Sequence, residues 1–189
     1  MEAFLVSSGV VALAEIGDKT QLLSLVLATR FRKPWVIVAG ILAATLINHL
    51  GAGAAGAWLA TRLGPTTMGW ILGLSFLAMA AWALIPDQLD EGENAQTHHG
   101  IFWTTVVAFF LAEMGDKTQV ATIALAARYG SLLPVVAGST LGMMLANVPV
   151  VFLGSRATAR VPLRAVRWVA ALVFAILGVA AFLRFRGQA

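Results

Sequence analysis

The sequence predicts an all-α membrane protein with six transmembrane helices, arranged as two inverted-topology repeats of three helices each. Two features predict this fold. Hydrophobic residues make up 59% of the 189 residues and charged residues only 12%, whereas a soluble domain carries about 25% charged residues. In addition, a nine-residue segment occurs twice, as LAEIGDKTQ and LAEMGDKTQ. The composition indicates a chain embedded in lipid, and the duplication divides it into two halves.

Six apolar segments follow one another along the chain, each near the ~20 residues that a membrane-spanning helix needs. Short breaks with Arg, Lys, Gly and Pro separate most of them, and only the acidic break before the fourth is long enough for a linker. The first segment lacks a basic leader, so we expect a retained helix and not a signal peptide. The segments cover residues 3–28, 35–60, 68–85, 101–127, 132–154 and 166–183.

Cysteine is absent, which excludes disulfides, zinc-thiolate sites, iron-sulfur clusters and thiol catalysis. The net charge is +4, but the basic residues stand singly or in small groups between apolar segments, as anchors at a membrane surface do. We therefore expect membrane lipid and not nucleic acid as the partner, no enzymatic activity and no cofactor. The oligomeric state stays open.

The repeated segment at 13–21 returns at 111–119 with eight of nine residues identical, an offset of 98. The same offset aligns further residues without a gap, such as Phe76 with Phe174. Because each half holds three spans, an odd number, the second half must enter the membrane in the opposite orientation. The sequence thus predicts a first repeat, an acidic cytoplasmic linker and an inverted second repeat at 1–86, 87–100 and 101–189.

The distribution of Lys and Arg predicts the orientation. The first, third and fifth loops carry three, none and four of these residues, and the second, fourth and C-terminal segments carry one, one and two. Cytoplasmic loops are enriched in Lys and Arg, so the first set is expected in the cytoplasm. Both termini are then expected outside an inner membrane.

The repeated segment puts ionisable residues inside the first helix of each half. Three charges at a helix centre cost about 8 to 10 kcal/mol on the insertion scale, and the apolar residues of that helix return only about 4 to 7 kcal/mol. Such a polar face is expected to point into the bundle or a wet cavity, where ionisable residues usually mark an ion or proton path.

The candidate metal ligands are two carboxylates and an amide in each half, spaced three residues apart and therefore on one face of a continuous helix. If the two first helices meet at a pseudo-two-fold axis, these oxygens converge near the middle of the membrane. Oxygen ligands suit hard cations such as Ca²⁺, Mn²⁺ or Mg²⁺. The residues are Glu15, Asp18, Gln21, Glu113, Asp116 and Gln119.

Supporting positions surround these ligands. Gly17 and Gly115 permit close helix approach or a local break that frees carbonyl oxygens. The lysines pair with the acids or face elsewhere, and the threonines add hydroxyl ligands or bond back to their own helix. A histidine and an asparagine aligned at the repeat offset line the path, relay protons or pack through hydrogen bonds. These supporting residues are Lys19, Thr20, Lys117, Thr118, His49 and Asn147.

Charge counting predicts the coupling between metal and protons. Four carboxylates and two charged lysines sum to −2, which one divalent cation or two protons would balance. The expected exchange is therefore about two protons per divalent cation, provided that both lysines stay charged near the site.

Two copies of E-x-G-D-[KR]-[TS], at residues 15–20 and 113–118, resemble the motif of the Gdt-type family of Ca²⁺/Mn²⁺:H⁺ antiporters, and the resemblance covers nearly the whole chain. It implies transport of Mn²⁺ and Ca²⁺ driven by proton counterflow, with both motifs forming the ion site. For a bacterial-type chain of this length it implies Mn²⁺ export across the cell membrane. Spacing alone indicated only a hard divalent cation.

Four other interpretations stay open at this point. A passive divalent-cation channel would not move Mn²⁺ uphill on a pH gradient, and an exporter of cationic amino acids would be competed by lysine or arginine. An intramembrane aspartyl hydrolase fits poorly, because it needs G-x-G-D and here Glu stands two residues before the glycine of each G-D pair. Finally, the Glu-Lys pairs can be purely structural ion pairs between helices.

Overall fold

The computed structural model describes residues 1–86, 100–154 and 162–186, and within these ranges the chain forms eight α-helices and no strands. The all-α prediction is confirmed. The acidic linker lies almost entirely outside the described residues. The helices are α1 Glu2–Glu15, α2 Lys19–Phe31, α3 Pro34–Arg62, α4 Pro65–Ala83, α5 Gly100–Glu113, α6 Lys117–Tyr129, α7 Leu132–Leu153 and α8 Leu163–Arg186.

The first predicted span of each half is not one helix but two, which corrects the continuous helices expected at 3–28 and 101–127. The chain breaks inside the repeated motif, between α1 and α2 and again between α5 and α6. Gly17 and Gly115 adopt φ angles of +83° and +75° there, a left-handed conformation that glycine takes without steric cost. The local break proposed for these glycines is therefore present in both halves.

Four helices in the described ranges are long and apolar enough to cross a membrane: α3, α4, α7 and α8. The helix α5 is apolar but has only 14 residues. Pro34 and Pro65 occupy the first turns of α3 and α4, where a missing backbone N–H costs nothing. Large apolar side chains such as Trp35 and Leu133 are exposed around the bundle, as expected for a surface in contact with lipid.

The two halves interlock, since the first helix of each half packs on the third helix of the other: α1 on α7, and α5 on α3. Small residues permit both contacts. Gly138 lies against the backbone carbonyl of Phe4, and its counterpart Gly40 lies against that of Phe102. The two contacts are related by the 98-residue offset, so the halves exchange equivalent surfaces. Close backbone approach at glycine is the usual way that membrane helices associate.

The last helices of the two halves, α4 and α8, pack along one another. Phe76 stacks on Phe174, with ring centroids 6.4 Å apart, and these two residues are equivalent under the repeat. Nearby, Gly73 contacts the ring of Phe182. Phe76 thus contacts residue 174, while the earlier residue Gly73 contacts the later residue 182. The two helices therefore run antiparallel.

Replacement of Gly138 by alanine is expected to destabilise the protein by about 1 to 3 kcal/mol, because the added Cβ would overlap the Phe4 carbonyl oxygen on the facing helix. Gly9→Ala is the matched control, since no packing partner from the described residues lies within 4 Å of a Cβ built there. Denaturant unfolding in detergent micelles measures both changes. Equal stability of the two variants would contradict the close α1–α7 contact.

Candidate functional site

Each motif is built around a helix break that a glutamine braces. The Gly17 N–H donates to Gln21 Oε1 over 2.9 Å, and the Gly115 N–H donates to Gln119 Oε1 over 2.8 Å. Both amide oxygens predicted as metal ligands are thus hydrogen-bonded to the backbone of their own break. The breaks also mean that the acids do not form one stripe on a continuous helix, because Glu15 ends α1 while Asp18 caps the start of α2.

Glu15 is fully buried beside a polar residue from the other half of the chain. Asn147 Nδ2 on α7 donates to Glu15 Oε1 over 3.1 Å, and Asn147 Oδ1 accepts from Ser24 Oγ over 2.7 Å. Within the described residues, Glu15 Oε2 has no hydrogen-bond partner. One carboxylate oxygen is thus held by the protein, while the other retains its lone pairs in a buried setting.

Glu113 is also fully buried, but its hydrogen-bond partner comes from its own motif. Thr118 Oγ1 donates to Glu113 Oε2 over 2.8 Å, and Glu113 Oε1 has no hydrogen-bond partner among the described residues. The equivalent threonine of the first half is Thr20. It is buried, and its hydroxyl has no hydrogen-bond partner among the described residues. His49, the counterpart of Asn147, is buried with neither ring nitrogen hydrogen-bonded to a described residue.

The two lysines cross between the halves and face the site. Lys117 Nζ lies 2.8 Å from Asp18 Oδ1, and Lys19 Nζ lies 4.0 Å from Asp116 Oδ1. Lys19 is therefore positioned near the acid of the other motif, where its sequence spacing had left open a pair with Glu15 or another direction. Each motif supplies the cation that faces the other motif's aspartate, so neither half can build its site alone.

The two crossed pairs are not equivalent. Lys117 and Asp18 are almost completely buried, whereas the Lys19 side chain is 20% exposed and stands further from its aspartate. No three His, Cys, Asp or Glu side chains are grouped closely enough to hold a metal ion in the described ranges. The structure thus brings acids and lysines together across the halves, while no three of the described acids meet at metal-ligand spacing.

Sequence reasoning missed three residues near the site. Ser24 completes the hydrogen-bond chain through Asn147 to Glu15, and its alignment with Thr122 at the repeat offset was the available signal. Leu163 and Arg167, on the first turns of α8, approach the first motif. Arg167 lines a small pocket together with Gly17, Asp18 and Lys117, whereas Leu163 lies against Gly17 itself. Nothing in the spacing of the motif pointed to α8.

Comparison with known proteins identifies the family. The sequence model described as "Divalent cation/proton antiporter GDT1" matches residues 3–91 and again 101–188. No solved structure matches the chain.

Individual relatives carry the same family name or a transport description. A Vibrio cholerae protein named "Putative manganese exporter" is 50% identical over 181 residues, which cover 95% of this chain and 90% of that protein. A "GDT1-like protein" of Synechocystis is 29% identical and covers 95% and 96% of the two chains. "GDT1-like protein 3" of rice (Oryza sativa) is 26% identical, with 96% and 74% covered. The apolar helices and these matches together make this chain a multi-pass membrane protein of the GDT1 family of divalent cation/proton antiporters, a family of transporters and not of enzymes.

Proposed function

We propose that this chain exports Mn²⁺ from the cytoplasm across the inner membrane in exchange for protons, with Ca²⁺ as a second cargo. The observation that carries the proposal is the pair of fully buried glutamates, Glu15 and Glu113, each with one carboxylate oxygen that lacks a hydrogen-bond partner among the described residues. Buried acids inside a membrane bundle are costly and typically serve ions or protons. The Vibrio cholerae relative named as a manganese exporter supports Mn²⁺ as the cargo.

The proposed architecture is six spans in two inverted repeats, with residues 1–86 and 101–189 as the repeats and both termini outside. Antiparallel packing of the equivalent helices α4 and α8 supports it, because a two-fold axis relating antiparallel helices runs across them and therefore lies in the membrane plane. The two separate matches of the family model, one to each half, also support it. In this arrangement α1 with α2, and α5 with α6, each cross the membrane as one broken span.

The crossed lysines suggest how the site accepts a metal ion. Lys117 already places a positive charge 2.8 Å from Asp18 Oδ1, so a divalent cation that binds Asp18 competes with that ammonium group for the carboxylate. Glu15 and Glu113 then contribute their remaining carboxylate oxygens, and Mn²⁺ favours such oxygen ligands. Asn147 and Thr118 orient the two glutamates by donating to the oxygens that they hold. In the other half of the transport cycle, the carboxylates bind protons in place of the metal ion.

Purified protein in liposomes tests this function. An imposed pH gradient is expected to drive Mn²⁺ uphill, and a protonophore is expected to abolish that accumulation. Parallel assays with Ca²⁺ and Mg²⁺ compare the transport rates of the three ions. Mn²⁺ that only equilibrates down its own gradient would show a channel, and inhibition by lysine or arginine would show an exporter of cationic amino acids; either result would contradict the proposal.

The stoichiometry has its own test, because exchange of two protons for one divalent cation moves no net charge. Mn²⁺ flux with the membrane potential clamped at different values by K⁺ and valinomycin is expected to be independent of the potential. Exchange of one proton per cation would move one net charge, which is worth about 2.3 kcal/mol per 100 mV. A flux that changes with the potential by this amount would contradict the charge count of four carboxylates and two lysines.

A further inference from the structure

The helix α8 brings two residues to the first motif that have no equivalent at the second motif. Leu163 and Arg167 are four residues apart, so they lie on one face of α8. At the repeat offset their counterparts in α4 are Pro65 and Gly69, a compact ring and a residue without a side chain. The two halves therefore differ in the size and charge of their side chains where this helix approaches the first motif.

Leu163 covers the helix break of the first motif. Its Cδ2 atom lies 2.9 Å from the point where a Cβ of Gly17 would stand, whereas no packing partner from the described residues lies within 4 Å of the same point at Gly115. Met114, next to Gly115, has 55% of its surface exposed. The break of the first motif is therefore closed over by α8, while the break of the second motif is open.

Arg167 adds a positive charge beside the first motif, whose break is covered by Leu163. It lines the pocket that also contains Asp18 and Lys117, which we name the Asp18 pocket. A guanidinium stays charged at physiological pH, so the three side chains together carry a net charge of +1. In the equivalent pair, Asp116 of the second motif faces Lys19. The position equivalent to Arg167 is Gly69. At this pair of equivalent positions the two motifs thus differ by one fixed positive charge.

We propose that Leu163 and Arg167 form an unduplicated gate over the Asp18 pocket, and that Arg167 makes the affinity for divalent cations lower from that side of the membrane than from the other. The physical reason is repulsion between the guanidinium and a doubly charged ion in a narrow, poorly screened pocket. Leu163 contributes by covering the break until α8 moves away from α1. The gate gives the two faces of a nearly symmetric carrier unequal affinity for the same ion.

This inference rests on the proposed function, and its test begins by fixing the orientation of the protein. The chain has no cysteine, so one introduced at an exposed position such as Thr61 is the sole target for a membrane-impermeant maleimide. Labelling of proteoliposomes then shows which fraction of molecules faces each way. Mn²⁺ flux is measured in both directions with the metal added to one side at a time.

Arg167→Gln is expected to lower the KM for Mn²⁺ about tenfold on the side of the Asp18 pocket and to change it less than about twofold on the other side. Arg167→Lys keeps the charge and is expected to resemble the wild type. Arg164→Gln makes the same chemical change at an exposed position one turn away, and is expected to have no effect. An equal shift on both sides, or no shift in Arg167→Gln, would overturn the gate.

A second measurement separates failure of the gate from failure of the function. Mn²⁺ bound to the protein in vesicles can be counted by electron paramagnetic resonance after addition to one side, which requires no transport. Tighter binding by Arg167→Gln from the side of the Asp18 pocket alone would support the gate even if no proton-driven flux occurred. Wild-type flux on a pH gradient together with unchanged one-sided binding in Arg167→Gln would instead reject the gate and leave the antiporter function standing.

Discussion

Replacement of Glu15 by glutamine is expected to reduce Mn²⁺/proton exchange by about 100-fold, which corresponds to about 2.8 kcal/mol of lost ion stabilisation. Glutamine keeps the shape of the side chain and an oxygen that can accept from Asn147 Nδ2, so the packing around it is preserved. It removes the negative charge and places an amide N–H₂ where the second carboxylate oxygen stood. Proton-driven Mn²⁺ uptake into proteoliposomes measures the loss, and thermal unfolding in detergent verifies that the fold persists.

Glu2→Gln is the matched control for this change. Glu2 lies at the exposed start of the same helix, where its Oε1 accepts from the Tyr129 hydroxyl over 3.1 Å. The same chemical replacement there is expected to leave the exchange rate within about twofold of the wild type, because a surface charge is screened by water and salt. Exchange by Glu15→Gln at the rate of Glu2→Gln would remove Glu15 from the ion site.

Replacement of Lys117 by glutamine is expected to destabilise the protein by about 3 to 5 kcal/mol, since it removes the cation that faces the fully buried Asp18. Lys19→Gln provides the comparison within the same molecule. Lys19 is partly exposed and stands 4.0 Å from Asp116, so its loss is expected to cost about 1 kcal/mol or less. The free energy of unfolding in micelles gives both values, and equal values would contradict the difference in burial between the two pairs.

A double variant separates the structural role of this ion pair from its role in transport. Asp18→Asn combined with Lys117→Gln removes both charges and is expected to recover most of the stability lost in Lys117→Gln alone. The same double variant is expected to remain inactive in Mn²⁺ exchange, because the proposed ligand Asp18 is absent. Recovery of both stability and exchange would show that the pair serves only to hold the helices together.

The residues of the candidate site were predictable because duplication makes functional positions visible in a single sequence. The repeated motif singled out Glu15 and Glu113, and alignment of His49 with Asn147 drew attention to the polar position that contacts Glu15. The all-α class followed from composition, since a bilayer leaves helices as the simplest way to satisfy backbone hydrogen bonds. These predictions depend on local pattern and on the cost of polar groups in lipid.

The crossed lysine–aspartate pairs between the halves could not be predicted from local sequence patterns. Spacing left open whether Lys19 pairs with Glu15 four residues earlier or faces elsewhere, and the helix break at Gly17 lies between these two residues. In the structure Lys19 faces Asp116, and Lys117 faces Asp18. A sequence shows which charges must be neutralised, but the identity of each neutralising group depends on which helices pack together.

The sequence by itself determined the membrane environment, the division into two halves and the residues that bear the charge, because each of these depends on composition or repetition along one chain. Only the tertiary structure decided that the lysines cross between the halves, that the glutamines brace the breaks, and that Leu163 lies over the break of the first motif while Arg167 lines the pocket beside it. The reason is geometric: contacts between segments about 100 residues apart depend on how closely helix backbones approach, and no local pattern specifies that approach.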